Sequence, residues 1–282
     1  MNETPGARRH ERSLPVIFAV LCVRLALPCS AGTVAAADDW KLQKSEHFLV
    51  YHKGTKDAGE GVAKTAEAAY DRITGDLGFK KSDNFWLWDD RLKIRVYPTK
   101  DAFAAATQAP DWAVGKSTIK TREIDMYDGG EAFVTQVVGH ELAHMVLSDY
   151  FGRTSVPLWL SEGFAEREES VPGSGGAAGK VVLAGTNNLF SIKELTGIRS
   201  VAGDKRAGIF YGQSASLVDF LITVYGSDLF RKLCGQLRDG KDLDEALRFT
   251  YPDTARSVEK LEEAWKRHIH GLQGGGNENR QK

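Results

Sequence analysis

Apolar and polar positions along the chain follow two regimes, one before and one after residue 130. In the first, short alternating runs predict β-strands: "EHFLVYH" (46–52), then "RLKIRVYP" (91–98), where Leu92, Ile94 and Val96 share one face. Between them "KDAGEGVAKTAEAAYDRITGDLGF" has helical spacing and stops near a glycine. "TKDAFAAAT" predicts a short helix capped by Thr99, and "WAVGKSTIKTREIDMYDGG" one or two strands closed by a glycine turn. From Glu131 the period lengthens. Phe133, Val134, Val137, Val138, Leu142 and Met145 mark a helix to about Tyr150, ended by Gly152. "VPLWLSEGFAEREE" predicts a second helix with Pro157 in its first turn. A Pro/Gly-rich loop, "SVPGSGGAAGK", leads to helices in "FSIKEL", "YGQSASLVDFLITVYG", "SDLFRKLCGQLRDG", "DLDEALRFT" and "SVEKLEEAWKRHI". The expected fold class is α+β. A mixed-sheet lobe (38–170) precedes a helical lobe (171–271), and the Gly-rich end (272–282) is expected to be a disordered tail.

The first 37 residues change the picture of where the chain works. Arg8, Arg9 and Arg12 precede the apolar run "LPVIFAVLCV", and Ala35 and Ala37 suit the −3 and −1 positions of a cleavage site before Asp38. This predicts a signal peptide over 1–37 and an exported protein, periplasmic or extracellular. Arg24 interrupts the apolar stretch, so no stable membrane span is expected after cleavage. Cleavage removes Cys22 and Cys29, leaving Cys234 without an internal disulfide partner; it reads as a small buried hydrophobe. With 282 residues, 42% hydrophobic, the chain can bury a sizeable core. A formal net charge of −1 with no dense basic block argues against nucleic acid as a partner.

The helix over 131–150 carries a chemical anomaly, "GHELAH". His140 and His144 stand one turn apart on one face, a spacing at which two neutral imidazoles can bind one zinc. Glu141 lies one step around the helix, placed for a general base acting on water rather than for a ligand. A catalytic zinc needs a third protein ligand. Glu162 is the candidate: it follows His144 by eighteen residues, far enough for an antiparallel helix to return, and sits in the apolar "LWLSEGFAE". Glu166 projects from the same face and is placed to accept from the free nitrogen of a ligating histidine. The acidic "EREE" fits a solvated face equally well.

Together "VVGHELAHMVL", "VPLWLSEGFAE" and "YGQSASLVDFL" resemble the gluzincin metallopeptidases, specifically the small bacterial peptidase MA-like group, over roughly residues 40–270. The resemblance implies a thermolysin-like core with a sheet above the motif helix and a helical lobe closing a cleft. It implies one Zn2+ per chain on His140, His144 and Glu162, with Glu141 as base. It also implies a peptide or protein substrate lying extended along an edge strand, expected at Glu123–Tyr127. An oxyanion donor from the helical lobe is common in such enzymes, and Tyr211, read as opening its helix, is the candidate among Tyr211, Tyr225, Tyr251, His268 and His270. Two departures stand out: the spacing to Glu162 is one residue shorter than in aminopeptidase N-like relatives, and no GxMEN-like segment is present. Endopeptidase action is therefore expected. A zinc-bearing binding module without turnover is the alternative that the motif itself leaves open.

Overall fold

Period-two alternation decides which face of the sheet is dry. The computed structural model, which describes residues 39–78, 91–169 and 188–278, has a five-stranded sheet of β1 (Lys41–Lys44), β2 (Phe48–His52), β3 (Leu92–Tyr97), β4 (Gly115–Thr118) and β5 (Glu123–Tyr127), and burial alternates along β2, β3 and β4. The leader and the Pro/Gly-rich loop fall outside these residues. Strand order is β1-β2-β3-β5-β4; β2, β3 and β5 run parallel, and each outer strand pairs antiparallel with its neighbour. Val50, Ile94 and Ile124 align across the sheet and are fully buried, because side chains in register on one face must share one environment. The opposite face is polar. There Arg95 pairs with Glu123 at 2.8 Å and Tyr97 donates to Asp125 at 3.3 Å.

Helix α1 (Lys56–Asp76) follows β2, and α2 (Lys100–Thr107) follows β3. Thr55 and Thr99 cap them by accepting from Ala58 and Ala102 backbone N–H groups, and Gly78, at φ +66°, closes the chain turn after α1. Helix α3 (Glu131–Phe151) lies against α1 and against the edge strand β4 and its neighbour β5, buried on nearly every side from Val137 to Leu147. A helix apolar around its circumference belongs in an interior. Helix α4 (Leu158–Glu168) packs on α3 and, more extensively, on α6 (Ala207–Tyr225); α5 (Ile192–Gly197), α7 (Ser227–Arg238), α8 (Leu243–Thr250) and α9 (Val258–Glu278) complete the second half. The length and hydropathy of α6 would suit a membrane span, but its apolar residues are taken up by packing on α4, α7 and α9. Trp265 Nε1 donates to Ser216 Oγ at 3.1 Å, and Phe164 stacks on Phe230.

The differences from the sequence reading have local causes. β1 is polar and exposed, so no alternation betrays it; pairing with β2 alone makes it a strand. β5 is an interior strand and β4 the edge, which corrects the expectation that Glu123–Tyr127 borders a cleft. Helix α6 begins at Ala207, so Tyr211 lies one turn inside it rather than at its start. Helix α9 continues to Glu278, into the stretch expected to be disordered, since adding a residue to an existing helix costs far less than nucleating one. Cys234 is buried, as read, and burial pushes its thiol pKa up, so it is no nucleophile.

Close approach of α4 to α6 depends on Gly163. A Cβ there would lie 2.5 Å from the Ser214 carbonyl oxygen, which is backbone and cannot swing aside. Gly163→Ala is therefore expected to destabilise the protein by about 1–3 kcal/mol, despite alanine's better helix propensity. Urea unfolding measures this; a variant as stable as wild type would mean the helices do not meet here.

Candidate metal centre

Three elements bring the site together. In α3, His140 and His144 point the same way, and their Nε2 atoms stand 3.1 Å apart, both rings buried. Helix α4 returns beside α3 and delivers Glu162, whose Oε2 is 3.9 Å from His144 Nε2. The three ligating atoms all lie within 4.8 Å of one another. β4 closes the site from the sheet side: Gly115 and Ser117 lie against Glu141, and a Cβ on Gly115 would come 3.0 Å from Glu141 Oε1 and 2.6 Å from Val137 Cγ1. The sequence-predicted ligands and base thus converge in one interior spot.

Burial dominates the electrostatics, and the groups respond according to their sign. Glu162 is pushed up to about 7 by burial, with Glu166, Glu141 and Glu169 adding to the rise and His140 opposing it. Burial raises Glu141 as well. Burial and then the His140 charge push His144 well below its ordinary value. His140 goes the other way: burial would lower it, but Glu169, Glu141 and Glu162 outweigh that and hold it at about 9. One positive charge is thus shared among several carboxylates. Oε2 of Glu141 and Oε2 of Glu162 are buried without a hydrogen-bond partner. Two imidazole nitrogens facing each other beside such orphaned carboxylate oxygens are a group that could hold a cation.

Side chains around the cluster fix its orientation. His144 Nδ1 is 2.9 Å from Ser161 Oγ. With Nδ1–H donating to that hydroxyl, Nε2 keeps its lone pair free, which is the tautomer a ligand needs. His140 Nδ1 is 2.7 Å from Glu169 Oε1, at ion-pair distance though off hydrogen-bond geometry. Glu169 thus joins Glu166, the residue foreseen beside this histidine, and the carboxylates of both lie within 4.8 Å of His140. The solvated-face reading of "EREE" fails: Glu166, Glu168 and Glu169 are 5%, 2% and 8% exposed. Sequence reasoning missed Ser161, Glu169, Gly115 and Ser117. Glu169 had a signal, because positions 162, 166 and 169 follow one helical face. Ser161 gave none beyond adjacency to Glu162.

Tyr211 is buried in α6, three residues before Ser214, where α6 meets α4, with its ring edge-on to Phe210 at 5.6 Å. A cavity of about 710 Å3, bordered by His52, Lys64, Tyr97 and Glu131, opens at the N-terminal ends of α1 and α3; none of His140, Glu141, His144, Glu162, Glu166 or Tyr211 lines it.

A family model described as the Peptidase MA superfamily matches residues 89–271. Among curated proteins there is no match.

Because Glu162 has a folded pKa of about 7 against an ordinary 4.5, the unfolded chain loses this proton first as pH rises. The stability attached to Glu162 is therefore present below about pH 4.5 and lost by about pH 7 in chelator-treated protein. Glutamine cannot ionise. Metal-free Glu162→Gln should thus gain stability relative to wild type progressively from about pH 4.5 to about pH 7, read from urea midpoints. A pH-independent difference would place Glu162 outside a dry, crowded site.

Proposed function

The chain belongs to the peptidase MA superfamily, and on that premise we propose that it is a zinc-dependent endopeptidase with a thermolysin-like core and one zinc on His140, His144 and Glu162. The convergence of two imidazole nitrogens, whose hydrogen-bond partners are each other, and a carboxylate oxygen without a hydrogen bond in a dry interior carries this reading. The donor set fits. Two nitrogens bound to one tetrahedral zinc at about 2.0–2.1 Å lie roughly 3.3 Å apart, close to the 3.1 Å separating His140 Nε2 and His144 Nε2. When bound, zinc supplies Lewis acidity that polarises the scissile carbonyl and makes water a nucleophile at neutral pH.

The remaining work falls to the chain's own residues. Glu141 takes the proton of the attacking water at its unpartnered Oε2 and passes it to the leaving amine. Gly115 leaves the space in which this carboxylate lies. β4, with its outer edge unpaired in the sheet order, offers backbone groups to an extended substrate. Tyr211 is proposed as oxyanion donor, a bond worth roughly 3–4 kcal/mol. Endopeptidase action is supported by the absence of a GxMEN-like segment in the sequence. Export is supported by the leader, and N-terminal sequencing of protein from an exporting bacterial host should find a start near Asp38.

Two substitutions test the roles. Glu141→Gln should keep zinc and fold while hydrolysis of a peptide library falls by orders of magnitude. Tyr211→Phe should hold zinc content and Tm while kcat falls about a hundredfold. Wild-type turnover in either variant removes that residue from the mechanism. Zinc-loaded wild type that hydrolyses nothing would instead be a zinc-bearing binding module.

A further inference from the structure

Helix α1 lies outside the residues that the family model matches, yet one of its side chains reaches the backbone beside the metal centre. Arg72 Nε is 2.7 Å from Glu168 Oε2, and Arg72 Nη2 donates to the Glu168 carbonyl oxygen at 3.1 Å. The carboxylate of Glu168 already has Arg167 Nη1 at 2.6 Å, so the carbonyl contact is what Arg72 adds. This carbonyl belongs to the last turn of α4, where backbone oxygens run out of partners within the helix and a guanidinium suits the helix dipole.

The same oxygen presses on α3. A Cβ on Gly139 would lie 2.6 Å from Glu168 O and 3.4 Å from Arg72 Nη2, so α1, α3 and α4 meet at one carbonyl. One residue further along α3 is His140, and one residue further along α4 is Glu169, the pair joined at 2.7 Å. We propose that Arg72 is a positioning residue of the metal centre: by gripping the Glu168 carbonyl over Gly139, it holds Glu169 against His140 and so fixes the imidazole that binds the metal. The segment before the matched region is then part of the site. This inference rests on the metal-binding reading above.

Lysine at position 72 keeps a positive charge opposite the Glu168 carboxylate but has no fork to hold the carbonyl as well. In the full chain, Arg72→Lys should weaken zinc binding about tenfold in competition with a chelator, with the Tm of the chelated protein little changed. Its cobalt(II) derivative should show shifted visible bands, reporting altered geometry at the ion. Gly139→Ala, which pushes on the same carbonyl from the other side, should weaken zinc as well. Wild-type zinc affinity and cobalt spectra in both variants would overturn the proposal and leave the metal reading standing. Affinity lost only in proportion to chelated-protein Tm would overturn it too, making Arg72 a general support of the fold. Wild type that binds neither zinc nor cobalt would remove the metal reading and this inference together.

Discussion

Carboxylates do not enter a dry interior without a positive partner, and this protein buries five of them side by side. Glu141, Glu162, Glu166, Glu168 and Glu169 are each less than a tenth exposed. Even after relaxation, an uncompensated buried ion costs several kcal/mol. Glu168 is neutralised by Arg72 and Arg167. Glu141, Glu162 and Glu169 turn instead toward His140, which without metal stays protonated on their account. A dication answers that demand better than one shared proton. The apolar surroundings that make α3 and α4 pack well also make the site demand a cation.

Helix α4 carries most of this burden, and its attachments show how it is kept in place. Gly163 lets it touch the backbone of α6, and Gly139 lets its end touch α3. Between these contacts Arg167 binds Asp76 of α1 and, at 3.0 Å, Asp219 of α6. Such a half-buried ionic tie is weak evidence for stability, since desolvation offsets much of the attraction. Its geometric effect is plainer: the helix bearing Glu162 cannot slide without breaking bonds to both neighbours. A polar cluster held this way has little conformational freedom to lose.

Periodicity made the strands β2, β3 and β5 and the helix α3 legible, because apolar residues there repeat with the period of the element they build. The cluster of His140, His144 and Glu162 was legible for a different reason: these residues are polar exceptions inside apolar runs. What escaped was set by pairing in space. β1 has no apolar pattern of its own, and which strand forms the cleft edge depends on sheet order, which local spacing cannot encode. Glu169 and Arg72 escaped because a buried charge looks like a surface charge until its partner is known. Glu166 and Glu169 are equivalent by helical spacing, and only the end of α4 lying over Gly139 favours the second.

The outer edge of β4, which no other described strand covers, has a second consequence. An edge strand accepts any extended chain, including the β4 of another copy, and so invites fibre-like stacking. Here the strand is only four residues long, "GKST", with no large apolar side chain among them. Lys116 rises from its middle, tied by Nζ to the Thr107 carbonyl at 2.9 Å. A second copy would have to bring its own lysine alongside and would gain few ladder bonds for the repulsion. Brevity and one charge thus keep copies of the chain from growing on one another along this edge.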